Sequence, residues 1–200
     1  EGISATLGEA GDAPAGAGAI ASVHSATMGE QLRWMLAHSD NTLADQYCRF
    51  AARAAGAPST YDGATETVRK TLTEAGVPTE GLTLEDCSGL SSNDKISAHT
   101  LVGVLKASYE GTGTEANTMR LLPWAGLVGT LSKRMTEEPA AGNVQAKTGA
   151  LQEVTSLSGS VMTKSGRVLL VSIGHDNVTE GAYATRGHLD AFEEGLAGLD

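Results

Sequence analysis

The chain has 200 residues, of which 40% are hydrophobic and 19% are charged, and it carries a formal net charge of −10 at pH 7. This length and composition suffice for one globular domain, or part of one, with a sizeable core. The acidity argues against a nucleic-acid partner, because phosphates attract basic surfaces. No apolar run approaches the roughly 20 residues that span a bilayer, so we expect no membrane anchor in this sequence.

The first half of the chain is predicted to be mainly helical. Residues 1–18 are dominated by Gly, Ala and small polar residues, which predicts a flexible start, and a short strand is predicted over 19–23. Apolar residues at helical spacing then predict four helices. In chain order they run from Met28 to about Ser39, from an N-cap at Ser39 or Asp40 to Gly56, over 62–75 with Gly76 as C-cap, and from Ser97 through Leu105.

The second half changes its period from that of helices to that of strands. A short strand over 82–84 leads into a turn-rich loop over 85–92, and a glycine-punctuated turn with a short helix is predicted over 111–120. Three strands are predicted over 144–149, 154–163 and 167–174, the last two joined by a hairpin, and a closing helix carries Leu189, Phe192, Leu196 and Leu199. Strands this close in sequence pair antiparallel, so the order predicts an α+β fold.

Two short motifs carry the chemistry of this sequence. Lys147-Thr148-Gly149 places a cation, a hydroxyl and a residue without a side chain in succession at the end of a short apolar run, which suits a strand edge that binds a carboxylate. Ser39-Asp40-Asn41 lies 106 residues earlier, counted from Asn41 to Lys147. Alone, the first motif is more often a solvated strand face and the second a helix N-cap. Together they match two of the three signature elements of penicillin-binding proteins and some β-lactamases.

Further matching segments run in order along nearly the whole chain. They are Val23-His24-Ser25-Ala26, Asp86-Cys87-Ser88-Gly89-Leu90-Ser91, Leu122-Pro123-Trp124-Ala125-Gly126, Gly129-Thr130-Leu131-Ser132-Lys133-Arg134, and the stretch from Ala141 to Gly149. With these segments the chain resembles the serine D-Ala-D-Ala carboxypeptidases of the penicillin-binding type, the dacB-like peptidase S13 family. The resemblance implies a transpeptidase-like fold in which the three strands belong to a larger five-stranded sheet.

The resemblance also implies roles for individual residues. Ser39 is similar in position to the hydroxyl that relays a proton to the leaving amine, and Asn41 to the amide that fixes the catalytic lysine and binds substrate. Lys147 and Thr148 would hold the terminal carboxylate of the substrate. Gly149 would allow its close approach, and the backbone N–H of Ala150 would supply one oxyanion donor.

The third signature element, a nucleophilic Ser with a Lys three residues later, has no convincing counterpart. Ser92-Asn93-Asp94-Lys95 fits the spacing but follows a turn where the family has no nucleophile, so we interpret it as a coincidence. In the family this element lies well before Ser39. We therefore expect residues 1–200 to be the C-terminal part of a single penicillin-binding domain, silent without an N-terminal fragment that carries the Ser-x-x-Lys motif.

The leading functional hypothesis is an exported, periplasmic or cell-wall-associated peptidoglycan D-alanyl-D-alanine carboxypeptidase, with endopeptidase action as a second activity. Such an enzyme binds the peptidoglycan stem peptide and is inhibited by β-lactam antibiotics. A β-lactamase is one alternative, although Glu74 and Glu80 do not lie in the E-x-x-L-N loop of one major class. A non-catalytic wall-binding protein that keeps the scaffold is another. The five histidines are scattered, so no metal and no cofactor are expected. Cys48 and Cys87 are either buried thiols or, in an exported protein, one disulfide.

Overall fold

The computed structural model describes residues 4, 6, 8–111 and 118–200. Its helices and strands follow the α+β order expected from the sequence, with helices first, then three antiparallel strands and a closing helix. The elements are α1 (Met28–His38), α2 (Asn41–Ala54), α3 (Tyr61–Glu74), α4 (Ala98–Glu110), β1 (Val144–Ala150), β2 (Thr155–Met162), β3 (Val168–His175) and α5 (Ala182–Ala197). Two 3-10 helices cover Met119–Leu121 and Gly129–Leu131.

The sheet has the order β1-β2-β3, and its register separates the strand residues into two faces. One face contains Val144 and Ala146 of β1 with Leu157 and Val161 of β2, and α5 packs on it to form the main core. The other face contains Lys147 and Gly149, and α4 packs over part of it, against β3 and β2. The sheet therefore separates the core beneath α5 from the face that carries the cationic motif.

A second, smaller core joins α2 to α3 and to the loop that follows. Cys48 and Ala52 of α2 pack with Ala64 of α3. Cys48 forms a disulfide with Cys87, with Cα atoms 6.3 Å apart, so the structure contains the bridge rather than two free thiols. One turn earlier on α2, the Asp45 carboxylate accepts a 3.0 Å hydrogen bond from the Cys87 N–H. The loop after α3 is thus fastened to α2 at two points.

Two of the short predicted strands are wrong. Residues 19–23 carry no regular structure, and Ile20 and Val23 are fully exposed because no strand in the described part of the chain pairs with them. The segment 82–84 contributes only a single bridge, between Thr83 and Lys95. Most of the turn and short helix predicted over 111–120 lies outside the described residues, and so does part of the flexible start predicted over 1–18.

The helices are confirmed, with differences in detail. Asp40, and not Ser39, caps α2, by accepting a 3.0 Å hydrogen bond from the Leu43 N–H. Gly76 follows the end of α3 with a positive φ of 70°, as a C-terminal glycine does. The apolar stripe predicted for α5 is partly wrong, because Phe192 is half exposed. The buried stripe of that helix instead runs through Thr185, Leu189, Glu193 and Ala197, four residues apart.

Candidate active site

The junction between α1 and α2 forms one wall of the candidate site. Ser39 ends α1 in the left-handed conformation, with φ 55° and ψ 51°, and Asp40 starts α2 in an extended one. This change of backbone direction leaves the Ser39 side chain exposed at the corner between the two helices. Asn41 is the first residue of α2, so the whole Ser39-Asp40-Asn41 motif lies at this corner.

The Lys147 side chain reaches from β1 to this corner. Its Nζ donates a 2.9 Å hydrogen bond to Ser39 Oγ and a 2.5 Å hydrogen bond to the Thr148 carbonyl oxygen. Burial lowers the pKa of Lys147 to about 8, because an ammonium group loses solvation when it leaves water. An amine held between two oxygen acceptors and partly removed from water is well suited to bind an anion.

The two residues after Lys147, Thr148 and Gly149, have different surroundings. Thr148 Oγ1 donates a 3.0 Å hydrogen bond to Thr130 Oγ1, which comes from the 3-10 helix at Gly129–Leu131. Gly149 lies opposite Ser156 of β2, and a Cβ at this position would collide with the Ser156 hydroxyl. The absence of a side chain at Gly149 therefore keeps this part of the sheet face open.

The outer edge of β1 is covered at one end, and among the described residues it is uncovered at the other. Ala146 donates its N–H to the Pro123 carbonyl at 3.0 Å, and Val144 accepts from the Ala125 N–H at 2.9 Å. In an antiparallel ladder the backbone groups of alternate residues point away from the partner strand. Ala150 has the same parity as Ala146 and Val144, so its N–H points to this outer edge, beyond the covered stretch, and its side chain is exposed.

The structure brings Ser39, Lys147 and Thr148 into one hydrogen-bonded region, but not every predicted residue into direct contact. Asn41 is half-buried two residues from Ser39, and within the described part of the chain its amide makes no hydrogen bond to Lys147 or to any other group. Sequence reasoning assigned no role to Thr130. The signal available for it was its position in the matching Gly129-Thr130-Leu131 segment.

The segment Ser92–Lys95, which has the Ser-x-x-Lys spacing, lies in a turn and not in a helix. Asp94 accepts a 2.7 Å hydrogen bond from the Glu85 N–H, and the Lys95 backbone pairs with Thr83. Both Ser92 and Lys95 are exposed. Over residues 4, 6, 8–111 and 118–200, no three His, Cys, Asp or Glu side chains cluster as metal ligands would.

Comparison with known proteins identifies relatives of this chain. The sequence profile of the D-Ala-D-Ala carboxypeptidase 3 (S13) family matches residues 2–196. Carboxypeptidase DacB of Mycolicibacterium smegmatis is 39% identical over 163 residues, which are 79% of this chain and 35% of that protein. D-alanyl-D-alanine carboxypeptidase of Actinomadura sp. strain R39 is 34% identical over 159 residues, which are 76% of this chain and 29% of that protein.

The fold has a close counterpart among solved structures. Penicillin-binding protein 4 (dacB) of Haemophilus influenzae, in a complex with a β-lactam, superposes with a TM-score of 0.74 and 28% identity over 84% of this chain and 40% of that one. The chain thus spans about a third of the length of the curated relatives that it matches. With the family profile covering nearly all of its residues, the chain belongs to the D-Ala-D-Ala carboxypeptidase 3 (S13) family.

Proposed function

We propose that the protein is a peptidoglycan D-alanyl-D-alanine carboxypeptidase, also able to act as an endopeptidase, that works through a serine acyl-enzyme. The observation that carries this proposal is the hydrogen bond between Lys147 Nζ and Ser39 Oγ, which unites the two matching motifs in one site. Family membership and the carboxypeptidase names of the relatives support the same activity. The substrate would be the stem peptide of peptidoglycan, which ends in D-Ala-D-Ala.

In this mechanism the strand edge holds the substrate by its terminal carboxylate. The Lys147 ammonium supplies the charge, and the Thr148 hydroxyl supplies a directed hydrogen bond. The Ala150 N–H at the free edge of β1 would donate to the oxyanion that forms when a serine attacks the carbonyl carbon of the scissile peptide bond. The second donor would come from the backbone of the nucleophile.

The nucleophilic serine would give its proton to the lysine of its motif. Ser39 would receive this proton as it passes its own hydrogen to the nitrogen of the departing D-alanine. Its oxygen accepts a hydrogen bond from Lys147, so its own hydrogen stays available for the leaving nitrogen. Breaking the C–N bond then releases D-alanine as a neutral amine and leaves the acyl group on the nucleophile. Water hydrolyses this ester in the second step and regenerates the serine. Asn41, at the same corner, would position the lysine of the nucleophile motif and bind the substrate amide.

We infer that the nucleophile and its lysine come from a segment outside these 200 residues. The chain matches about a third of each curated relative, and its one Ser-x-x-Lys spacing, at Ser92, lies in an exposed turn. The same segment would extend the three-stranded sheet to five strands. These 200 residues would then form the C-terminal part of one penicillin-binding domain.

We further propose that the protein acts outside the cytoplasm, in the periplasm or at the cell wall, where its substrate is. The disulfide between Cys48 and Cys87 agrees with an oxidising compartment. No helix in the described parts of the chain is long and apolar enough to cross a membrane.

The test uses the full-length protein, a fluorescent penicillin and a peptide that ends in D-Ala-D-Ala. A carboxypeptidase forms a slowly decaying penicillin adduct and releases D-alanine from the peptide. Rapid turnover of nitrocefin without release of D-alanine would identify a β-lactamase instead. Absence of both the adduct and the released D-alanine would overturn the proposal in favour of a non-catalytic wall-binding protein.

A further inference from the structure

The hydroxyl of Thr130 contacts the residue that would bind the substrate carboxylate. Thr148 Oγ1 donates to Thr130 Oγ1 at 3.0 Å, and both side chains are half-buried. We propose that Thr130 is a positioning residue that orients the Thr148 hydroxyl toward the terminal carboxylate of the substrate. This inference rests on the proposed carboxypeptidase function and adds a residue to its binding site.

The 3-10 helix that carries Thr130 is fixed against the Ser39 wall of the site. Gly129 has a positive φ of 62°, and a Cβ there would lie 3.0 Å from the Cα of Ala37 and closer still to its carbonyl oxygen. A side chain at Gly129 would therefore push the 3-10 helix away from the end of α1, two residues before Ser39. The glycine therefore allows one short segment to contact both α1, through Gly129, and Thr148 of β1, through Thr130.

The other end of the same segment is anchored to α5. Arg134 and Asp190 form a largely buried ion pair in which Arg134 Nε lies 3.1 Å from one Asp190 oxygen and 3.2 Å from the other. The Gly126 N–H also donates to the carbonyl oxygens of Leu131 and Arg134, at 3.0 and 2.9 Å. Thr130 is therefore held at a defined position relative to the sheet.

The hydrogen-bonding capacity of two hydroxyl groups explains how Thr130 acts. Each hydroxyl has one hydrogen and two acceptor sites, and the hydrogen rotates freely. When a carboxylate binds, the Thr148 hydrogen turns from Thr130 to the anion. Thr130 then donates its own hydrogen to the Thr148 oxygen. Two hydrogen bonds in series that end on an anion polarise each other. The bond from Thr130 to Thr148 therefore strengthens the bond from Thr148 to the carboxylate.

The experiment compares T130V, which removes the hydroxyl at nearly constant shape, with T130S, which keeps it, in the full-length protein. S132A is the matched control, because Ser132 follows the same 3-10 helix but is exposed. The measured quantity is the second-order rate constant of acylation by benzylpenicillin and by its methyl ester, which lacks the carboxylate.

With benzylpenicillin we expect T130V to reduce the rate constant about tenfold, because the variant loses the hydrogen bond that Thr130 makes to Thr148 and leaves the Thr148 hydroxyl without its partner. We expect T130S and S132A to stay within about threefold of wild type. With the methyl ester, T130V is expected to change the already lower rate less than about twofold, because the ester offers no anion to Thr148. In a protein that already carries T148V, adding T130V should change the acylation rate constant little, because Thr130 acts through the Thr148 hydroxyl.

Equal loss with the acid and the ester, or no loss in T130V, would overturn the role of Thr130 while leaving the proposed function intact. A wild-type protein that penicillin does not acylate would instead overturn the proposed function. If T130V lowers the melting temperature, the comparison of T130A with T130S decides the question, since both lack the branching methyl group and differ in the hydroxyl. Equal rates for that pair would refute the inference.

Discussion

Lys147 Nζ and Ser39 Oγ lie 2.9 Å apart although their residues are 108 positions apart in the chain. This contact forms only when the sheet and the α1–α2 corner are both folded. It therefore links the two motifs that sequence reasoning identified separately.

Replacing Lys147 by Gln removes the ammonium and keeps a polar side chain that is one bond shorter. In the full-length protein we expect kcat/KM for a peptide ending in D-Ala-D-Ala to fall by about 100-fold or more, since truncating one partner of a partly buried charge contact costs about 2–5 kcal/mol. The rate at which D-alanine is released from the peptide gives kcat/KM for each variant. The control is Lys164→Gln, at an exposed lysine after β2, and equal losses in the two variants would contradict the prediction.

The pH dependence of ligand binding follows from the pKa of Lys147, which burial lowers to about 8. We expect carboxylate ligands to bind less tightly as the pH rises through about 8, because the free protein then loses the cation. Binding constants measured between pH 6 and 10 test this. In Lys147→Arg the decline should disappear over this range, because a guanidinium keeps its proton there.

The same lowered pKa gives a prediction for stability. The unfolded chain keeps the Lys147 proton up to the ordinary lysine pKa of 10.5, whereas the folded protein releases it near 8. Between these values the unfolded state binds more protons, so this group makes the free energy of unfolding rise with pH. The free energies of unfolding of wild type and Lys147→Gln, measured by denaturant titration, should therefore diverge as the pH rises from about 8 to 10.5. Parallel dependences of the two free energies on pH would refute the prediction.

Glu193 is a buried carboxyl in the core beneath the sheet. It is 1% exposed, neither of its oxygens has a hydrogen-bond partner among the described residues, and burial, with the charge of Asp190, raises its pKa from 4.5 to about 7. The folded state therefore holds a proton that the unfolded state has lost between these pH values. This makes the stability contributed by Glu193 fall as pH rises through that window.

We expect Glu193→Gln to raise the free energy of unfolding at pH 8 by up to about 3 kcal/mol and to change it little at pH 4, where both states are protonated. Urea denaturation at the two pH values measures the difference. Glu194→Gln is the neighbouring control, because Glu194 is exposed. A gain of the same size at both pH values would show that titration is not the cause.

The disulfide between Cys48 and Cys87 closes a loop with a sequence separation of 39 residues. The chain-entropy relation gives a stabilisation of about 4 kcal/mol for a loop of this length. We expect the double variant Cys48→Ser, Cys87→Ser to lose an amount of this order in urea denaturation, and to become insensitive to a thiol reductant. A wild-type protein whose stability does not respond to reduction would contradict this expectation.

Local sequence signals were sufficient for most of the fold and for part of the site. Two N-cap candidates, Ser39 and Asp40, before an apolar helical stripe marked the start of α2, and the change of period from Asn143 onward marked the three strands. Residues 19–23 have strand-like composition, but a strand also needs a partner, which local pattern does not reveal. Thr130 was missed for the same reason, because its contact with Thr148 depends on how Gly129 packs against α1.

Glu193 shows a different limit. A charged residue in the middle of a helix is normally assigned to the solvent face, so the predicted stripe of α5 was built on the large apolar side chains and included Phe192. In the fold, the residues that face the sheet are spaced four apart, and this spacing includes Glu193 instead.

The ion pair between Arg134 and Asp190 has a practical implication for anyone who shortens this protein to obtain better crystals. A truncation before α5 would uncover the apolar face of β1 and β2, and it would also leave the guanidinium of Arg134 without its counter-ion, five residues from Gly129. Such a fragment would lose the anchor of the 3-10 helix. Trimming for crystallography should therefore leave the last helix whole.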